Sequence, residues 1–454
     1  MTKQLSLREK WGYGVADIGA SLSYNTINFF LLFFLVEIVG LGPALAGLAL
    51  LSGRLFDAFT DPVMGLITDR TRSRWGRRKP YIWIGAVPFG ISFALLWTIP
   101  EGSHLAVFAL AALALWLHIL IYTTVQVPYM ALTPELAPEY SQRTALTSYR
   151  IGFGTLASLI GAAVPPLLIS TFNAGQGLPQ DARFGWIGMG IVFGILMSLS
   201  YLTMAALVRE RTGQLEPPGR LELWREYRSV FGAFGFPQVL LIFVAVTIGL
   251  GVVSSILPFY LISAIALSAG EQTAILGLLF GVAILVLPVW NLVSARVGKK
   301  AAFIAGLLTL SLSLVLLVTL SPAGWLSPLL LFFTVFAGIG TATVLLFPWA
   351  MIPDVVEFDE LASGKRREGL LYSIFTFGQK TAFALGAFLN AMMLELVGYD
   401  REAVVQTAQA VSGIQWMVGP VAALMFFLAA LLVWRYPITK ARHDEARARL
   451  AQRR

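Results

Sequence analysis

Apolar residues along this chain gather into long runs, separated by short stretches rich in charge, glycine and proline. A helix rising ~1.5 Å per residue crosses a ~30 Å hydrocarbon core in roughly 20 residues, and the runs have that length. They lack the strict alternation of barrel strands, and only helices or closed barrels satisfy their own backbone groups in lipid. The pattern predicts an all-α polytopic membrane protein of about twelve transmembrane helices. The spans fall near 13–39, 44–68, 80–99, 105–132, 145–170, 186–208, 237–265, 272–295, 301–320, 327–352, 370–397 and 412–435.

Composition agrees: of 454 residues 57% are hydrophobic and 13% charged, outside the balance of a soluble domain. The first run is too long for the apolar region of a cleavable signal and is expected to stay as a span. The chain has no cysteine, which excludes disulfides and thiolate metal sites. A net charge of +8 would suggest nucleic acid on a soluble chain, but its placement gives another account. All but five of the 33 Lys and Arg fall in the termini and in alternate loops, which puts both termini in the cytoplasm by the positive-inside rule. The five are Arg183 and Arg401 in opposite loops and Arg54, Arg150 and Lys380 inside spans. No nucleic-acid partner is needed. The expected form is a monomer in a plasma membrane, such as a bacterial inner membrane, whose partners are a small-molecule solute and membrane lipid.

The linker over 209–236 carries Pro217, Pro218 and Gly219 and divides the spans into two sets. The expected organisation is a six-helix bundle over 1–208, the linker, a second six-helix bundle over 237–435 and a basic tail over 436–454. The halves echo each other. Trp75-Gly76-Arg77-Arg78-Lys79 returns 222 residues later as Val297-Gly298-Lys299-Lys300, and Tyr149 returns 223 later as Tyr372. Two landmarks at nearly one offset argue for a duplicated unit, the architecture of major facilitators, with a site near the midplane.

An ionisable group at the centre of a membrane helix costs roughly 2.5 kcal/mol or more, so each needs a partner or a function. In Arg54-Leu55-Phe56-Asp57-Ala58-Phe59-Thr60-Asp61-Pro62, Asp57 and Asp61 are four residues apart and share one helix face. Two such acids do not both stay ionised in a low dielectric unless a cation lies between them or a proton neutralises one. That is the requirement of a sodium or proton site made of hard oxygen ligands, to which Thr60 adds a hydroxyl. The structural alternative pairs both acids with Arg54 or Arg150. Asp17 has two readings, one facing a cavity and one hydrated near the surface.

Arg150 and Lys380 lie at comparable depths in the two halves. They are candidates to donate to a substrate or to neutralise the acids, with fixed salt bridges as the alternative. Tyr122, Thr123 and Gln126 of span four, and Tyr24 and Asn25 of span one, are candidates for a cavity wall or for interhelical hydrogen bonds. Asp69, Arg70, Arg74, Arg77 and Arg78 form either a charge latch that changes with conformation or a topology signal alone. His104, His118 and His443 are too scattered for a metal cluster. No Walker loop, HExxH motif or GxSxG elbow is present, so neither an enzyme nor a cofactor beyond a coupling cation is expected.

These segments resemble the glycoside-pentoside-hexuronide:cation symporters of the major facilitator superfamily, the melibiose-permease-like family, over most of the chain. The most specific part is Arg54 to Pro62 followed by Thr71-Arg72-Ser73-Arg74-Trp75-Gly76-Arg77-Arg78-Lys79-Pro80. Tyr13-Gly14, Val127-Pro128-Tyr129, Pro353-Asp354 and Gly378-Gln379-Lys380 add to it. The resemblance implies that Asp57 and Asp61, helped by Thr60 and Thr123, form the coupling-cation site and are metal ligands if the ion is Na+. It implies that Arg150 and Lys380 line the sugar and cation cavity. Two acids that galactoside carriers of the family use for their sugar fall here at Ser21 and Gln126, and a tryptophan falls near Met130. The family also has carriers of acidic sugars and, more distantly, of lysolipids. The expected function is cation-coupled (Na+ or H+) symport of a sugar or sugar derivative by alternating access. Transport of an amphipathic or lipid-like anion is the alternative within transport, and a non-transporting membrane sensor the alternative outside it.

Overall fold

The structure, a computed structural model, describes residues 5–137, 140–179, 182–210, 231–319, 327–363, 368–403 and 405–438, together with 442, 445 and 446. Pro217, Pro218 and Gly219 of the linker, and most of the 436–454 tail, lie outside the described residues. Fourteen α-helices and no strand occur among the described residues.

The first half holds α1 (Leu7–Phe33, continued by a π turn, Phe34–Ile38), α2 (Pro43–Arg70), α3 (Lys79–Leu96), α4 (His104–Leu136), α5 (Tyr140–Ala163), α6 (Pro165–Gly175) and α7 (Arg183–Leu207). The second holds α8 (Phe236–Phe259, with a π turn, Tyr260–Ala264), α9 (Ala269–Val297), α10 (Lys299–Thr319), α11 (Pro328–Ser363), α12 (Glu368–Leu396), α13 (Ala408–Trp416, with a π turn, Met417–Val421) and α14 (Ala422–Trp434). Among the described residues nine spans are long and apolar enough to cross a bilayer, α13 and α14 counting as one, and α5 with α6 makes a tenth. The other two long helices, α2 and α12, contain Arg54, Asp57, Asp61 and Gln379, Lys380, which lower their hydropathy. Twelve spans result.

Three spans differ from the sequence reading, each for a local reason. α1 begins at Leu7, before the apolar run, because Ser6 and Glu9 form a capping box: Ser6 Oγ accepts from the Glu9 amide at 3.2 Å and Glu9 Oε2 from the Ser6 amide at 2.9 Å. The fifth span is not continuous over 145–170. It bends by 50° between α5 and α6, where Pro165 and Pro166 cannot donate to the preceding turn. α11 runs on to Ser363, past the predicted end at 352, its final turns carrying Asp354, Glu357, Asp359 and Glu360.

Contacts divide the chain into two units. One is Met1–Pro217 with Ser268–Ala274 and Asp400–Ala403; the other is Pro218–Leu267 with Ile275–Tyr399 and Val404–Arg454. Within the first, α1 packs on α5 and α7, α3 on α4 and α7, and α2 on α4. Within the second, α8 packs on α12 and α14, and α10 on α11 and α14. Helices at matching positions of the repeat thus choose matching neighbours. The two glycines of the sequence echo also agree, Gly76 having φ +104° and Gly298 φ +88°, each just before the helix that opens its half's third span.

Candidate functional site

Asp57 and Asp61 lie one turn apart on α2, as their spacing dictates, Asp57 buried and Asp61 half-buried. Thr123 of α4, also buried, brings a hydroxyl between them. Its Oγ1 donates to Asp61 Oδ1 at 3.0 Å, with Asp57 Oδ1 at 3.4 Å. Thr60 Oγ1 stands 3.4 Å from Thr123 Oγ1 and donates to the Asp57 carbonyl at 3.2 Å. Pro62 follows within the same helix and has no N–H for the Ala58 carbonyl, which adds a backbone oxygen with capacity to spare beside the acids. Tyr122 is near enough to interact electrostatically with both carboxylates. The result is a cluster of carboxylate and hydroxyl oxygens, the donor set of a hard monovalent cation or a proton.

Arg54 is directed to α1. Its Nη2 donates to Asn28 Oδ1 at 2.8 Å and its guanidinium lies 5.4 Å from the centre of the Tyr24 ring. The sequence reading missed Asn28, because which residue of α1 meets Arg54 is set by how two distant helices cross.

A second polar group lies between α1 and α5. Arg150 interacts electrostatically with Asp17 and Tyr13 and Nη1 reaches Met130 Sδ at 3.0 Å. Gly154, one turn beyond Arg150, makes room for Asp17: a Cβ there would meet Asp17 Oδ2 at 2.3 Å and Ser21 Oγ at 3.1 Å. The structure places Asp17 half-buried against α5. Asn25 continues the seam, its Nδ2 donating to Ser158 Oγ at 3.0 Å and to the Ser21 carbonyl at 2.9 Å. Gln126 accepts from the Tyr201 hydroxyl of α7. Lys380 lies half-buried on α12, in the second unit.

In the first unit, two buried features join helices in pairings that no local pattern reported. Tyr13 and Tyr129 stack at 4.7 Å and exchange hydroxyl-to-carbonyl hydrogen bonds, at 3.2 Å to Tyr129 O and 3.0 Å to Tyr13 O. His118, read from sequence only as a lone histidine, bridges three helices, with Ser23 Oγ 2.8 Å from Nε2 and Ser92 Oγ 3.0 Å from Nδ1.

On the face that carries the basic loops, Arg78 sits 3.3 Å from Asp69 and 3.3 Å from Glu135, and Arg77 also binds Glu135. Ends of α2, α3 and α4 are tied together in this way. Glu210 caps α3, its carboxylate accepting from the amides of Arg77 (2.7 Å), Arg78 (3.1 Å) and Lys79 (3.0 Å). Arg70 is exposed, and the Arg74 guanidinium lies 5.2 Å from the centre of the Trp75 ring. Glu135 and Glu210 were missed: Glu210 stands between Arg209 and Arg211, whereas no basic residue lies near Glu135 in the sequence and Arg77 and Arg78 reach it only in the fold. The second unit repeats the device: Lys299, at the position of Arg77, holds Asp354 of α11 at 2.7 Å.

Residues 12–440 match the profile of the family described as MFS/sugar transport protein. The uncharacterized symporter sll1374 of Synechocystis sp. is 30% identical, over 99% of this chain and 98% of that one. The glucuronide carrier protein homolog of Escherichia coli is 28% identical, over 98% of this chain and 95% of its own. Among solved structures, a bacterial homolog of the human lysosomal transporter Spinster, inward-facing and occupied, superposes with a TM-score of 0.69 over 95% of each chain at 14% identity, a likeness of fold. With a twelve-span duplicated fold and a family match over nearly its whole length, the chain belongs to the MFS/sugar transport protein family.

Proposed function

We propose that this protein is a secondary active transporter that moves a sugar or sugar derivative across the membrane in symport with Na+ or H+, by alternating access. The observation that carries the reading is the α2–α4 oxygen cluster, two carboxylates one turn apart with the Thr123 hydroxyl at 3.0 and 3.4 Å from them. Ionised together in low dielectric, the two acids repel, and a cation between them relieves the repulsion. The state with the ion bound then favours a different packing of α2 from the state without it. If substrate prefers the same state, each tightens the other by one common factor.

The sugar half of the proposal is supported by the family description and by the relative named as a glucuronide carrier homolog. Coupling is supported by the relative named as a symporter. Arg150, beside Asp17 on the α1–α5 seam, is the group we assign to substrate hydroxyls or a carboxylate, with Ser21 and Gln126 as further candidates. Lys380 is assigned the matching role in the second half, and the basic faces of both halves are assigned to the cytoplasm.

Solute-driven cation flux in proteoliposomes tests the proposal, with neutral glycosides, glucuronides and lysolipids as the panel. The expected result is Na+ or H+ entry driven by a sugar or glucuronide gradient. Flux with lysolipids alone would replace the substrate class, and no flux with any solute would remove the symport reading.

A further inference from the structure

Away from the polar clusters, an apolar groove of about 440 Å³ runs between α8 and α14. Leu241, Val244, Ala245 and Ile248 line one wall, at the i, i+3, i+4 and i+7 positions of one helix face. Met425, Leu428 and Leu431 line the other, and Trp434 and Arg435 stand at its end. The groove follows from a glycine. At Gly249 a Cβ would come within 2.9 Å of the Phe426 ring, so α8 and α14 touch there, and the wedge opens from that contact toward the end of α14. That end is on the same membrane face as the basic α2–α3 loop, an even number of spans away. Leu241 is 55% and Trp434 65% exposed, so large apolar surfaces flank the opening.

We infer that this groove holds one acyl chain of an anionic glycerophospholipid from the leaflet on the basic face, with Arg435 on the phosphate. Three features select that occupant. The walls are hydrocarbon over several helical turns, which matches a chain and leaves no partner for a polar solute. Arg435, the one cation among the described lining residues, stands where a headgroup would lie, beside a tryptophan of the kind that marks the interface. From Arg435 onward the sequence carries seven Lys and Arg against Asp444 and Glu445, and a basic juxtamembrane segment of this kind attracts anionic lipid. The inference is independent of which solute the protein carries.

The test is native mass spectrometry of the full-length protein, delipidated in detergent and titrated with phosphatidylglycerol or chain-matched phosphatidylcholine. Wild type is expected to retain one phosphatidylglycerol under activation that strips phosphatidylcholine. Arg435→Gln is expected to weaken that retention roughly tenfold, the scale of one charge-assisted contact. Ala245→Phe, which fills the groove, is expected to remove it. If Ala245→Phe fails to fold, Arg435→Gln alone decides. Equal retention of the two lipids by wild type, or unchanged retention in Arg435→Gln, would overturn the site. So would loss of the preference on removing 439–454 with Arg435 intact, since the tail and not the groove would then select the lipid.

Discussion

The Thr123 hydroxyl has a single hydrogen to donate, and at 3.0 Å Asp61 is its better acceptor, with Asp57 at 3.4 Å. If the cluster holds the coupling cation, removing this oxygen weakens the ion without removing the charge. Thr123→Val, close in shape, is expected to raise the cation concentration for half-maximal transport roughly tenfold, while Thr123→Ser stays near wild type. Uptake measured against Na+ concentration and against pH checks both. Asp57→Asn and Asp61→Asn keep size and lose charge, and are each expected to abolish cation-driven accumulation while sparing substrate exchange. Accumulation with unchanged Na+ and pH dependence in both would return the two acids to a structural role. The pairing of Asp57 with Asp61 was legible because four residues make one helical turn. The Arg54–Asn28 bond and the two-sided bridging of His118 were not, because each joins helices whose crossing no local pattern reports.

At the scale of one element, the loop from Arg70 to Lys79 illustrates how sequence and contact divide the work. Gly76 needs a positive φ and also needs its missing side chain: a Cβ would meet Glu210 Oε2 at 2.1 Å, where that carboxylate caps α3. Gly298, its counterpart, has φ +88° and nothing within 4 Å of a Cβ. Gly298→Ala therefore carries only the backbone cost of about 1–2 kcal/mol, whereas Gly76→Ala adds displacement of Glu210 and loss of the cap. Thermal melting in one detergent is expected to rank Gly76→Ala below Gly298→Ala, and Glu210→Gln is expected to remove part of that difference. Equal melting of the two glycine variants would show that Glu210 contributes nothing to the turn. The echo of the two turns was visible in the sequence. The carboxylate that separates them was not, since Glu210 is 134 residues further along the chain than Gly76.

Across the whole molecule, the strongest constraint is the arithmetic of spans and charge. Hydrophobic run length marks most of the membrane crossings because lipid leaves a helix no other way to satisfy its backbone, while α2 and α12 carry charges that lower their hydropathy. The break at Pro165 escaped that reading because a run of apolar residues measures length and not continuity. Twelve spans put α2's end, α14's end and the start of α8 on one face, and the loop after α3 on the other. The Lys and Arg count then predicts which face is cytoplasmic. The cysteine-free sequence makes the test direct. Arg72→Cys, in the exposed loop after α2, and Ser103→Cys, at the start of α4, are separated by a single span, α3. In intact cells an impermeant maleimide is expected to label Ser103→Cys alone, and in inverted vesicles Arg72→Cys alone. Labelling of both from one side would remove α3 as a span and with it the odd-even count that sets every later loop. Reversal of the two would keep the spans and invert the protein, and the acids of α2 would then lie in a membrane orientation opposite to the one the basic loops predict.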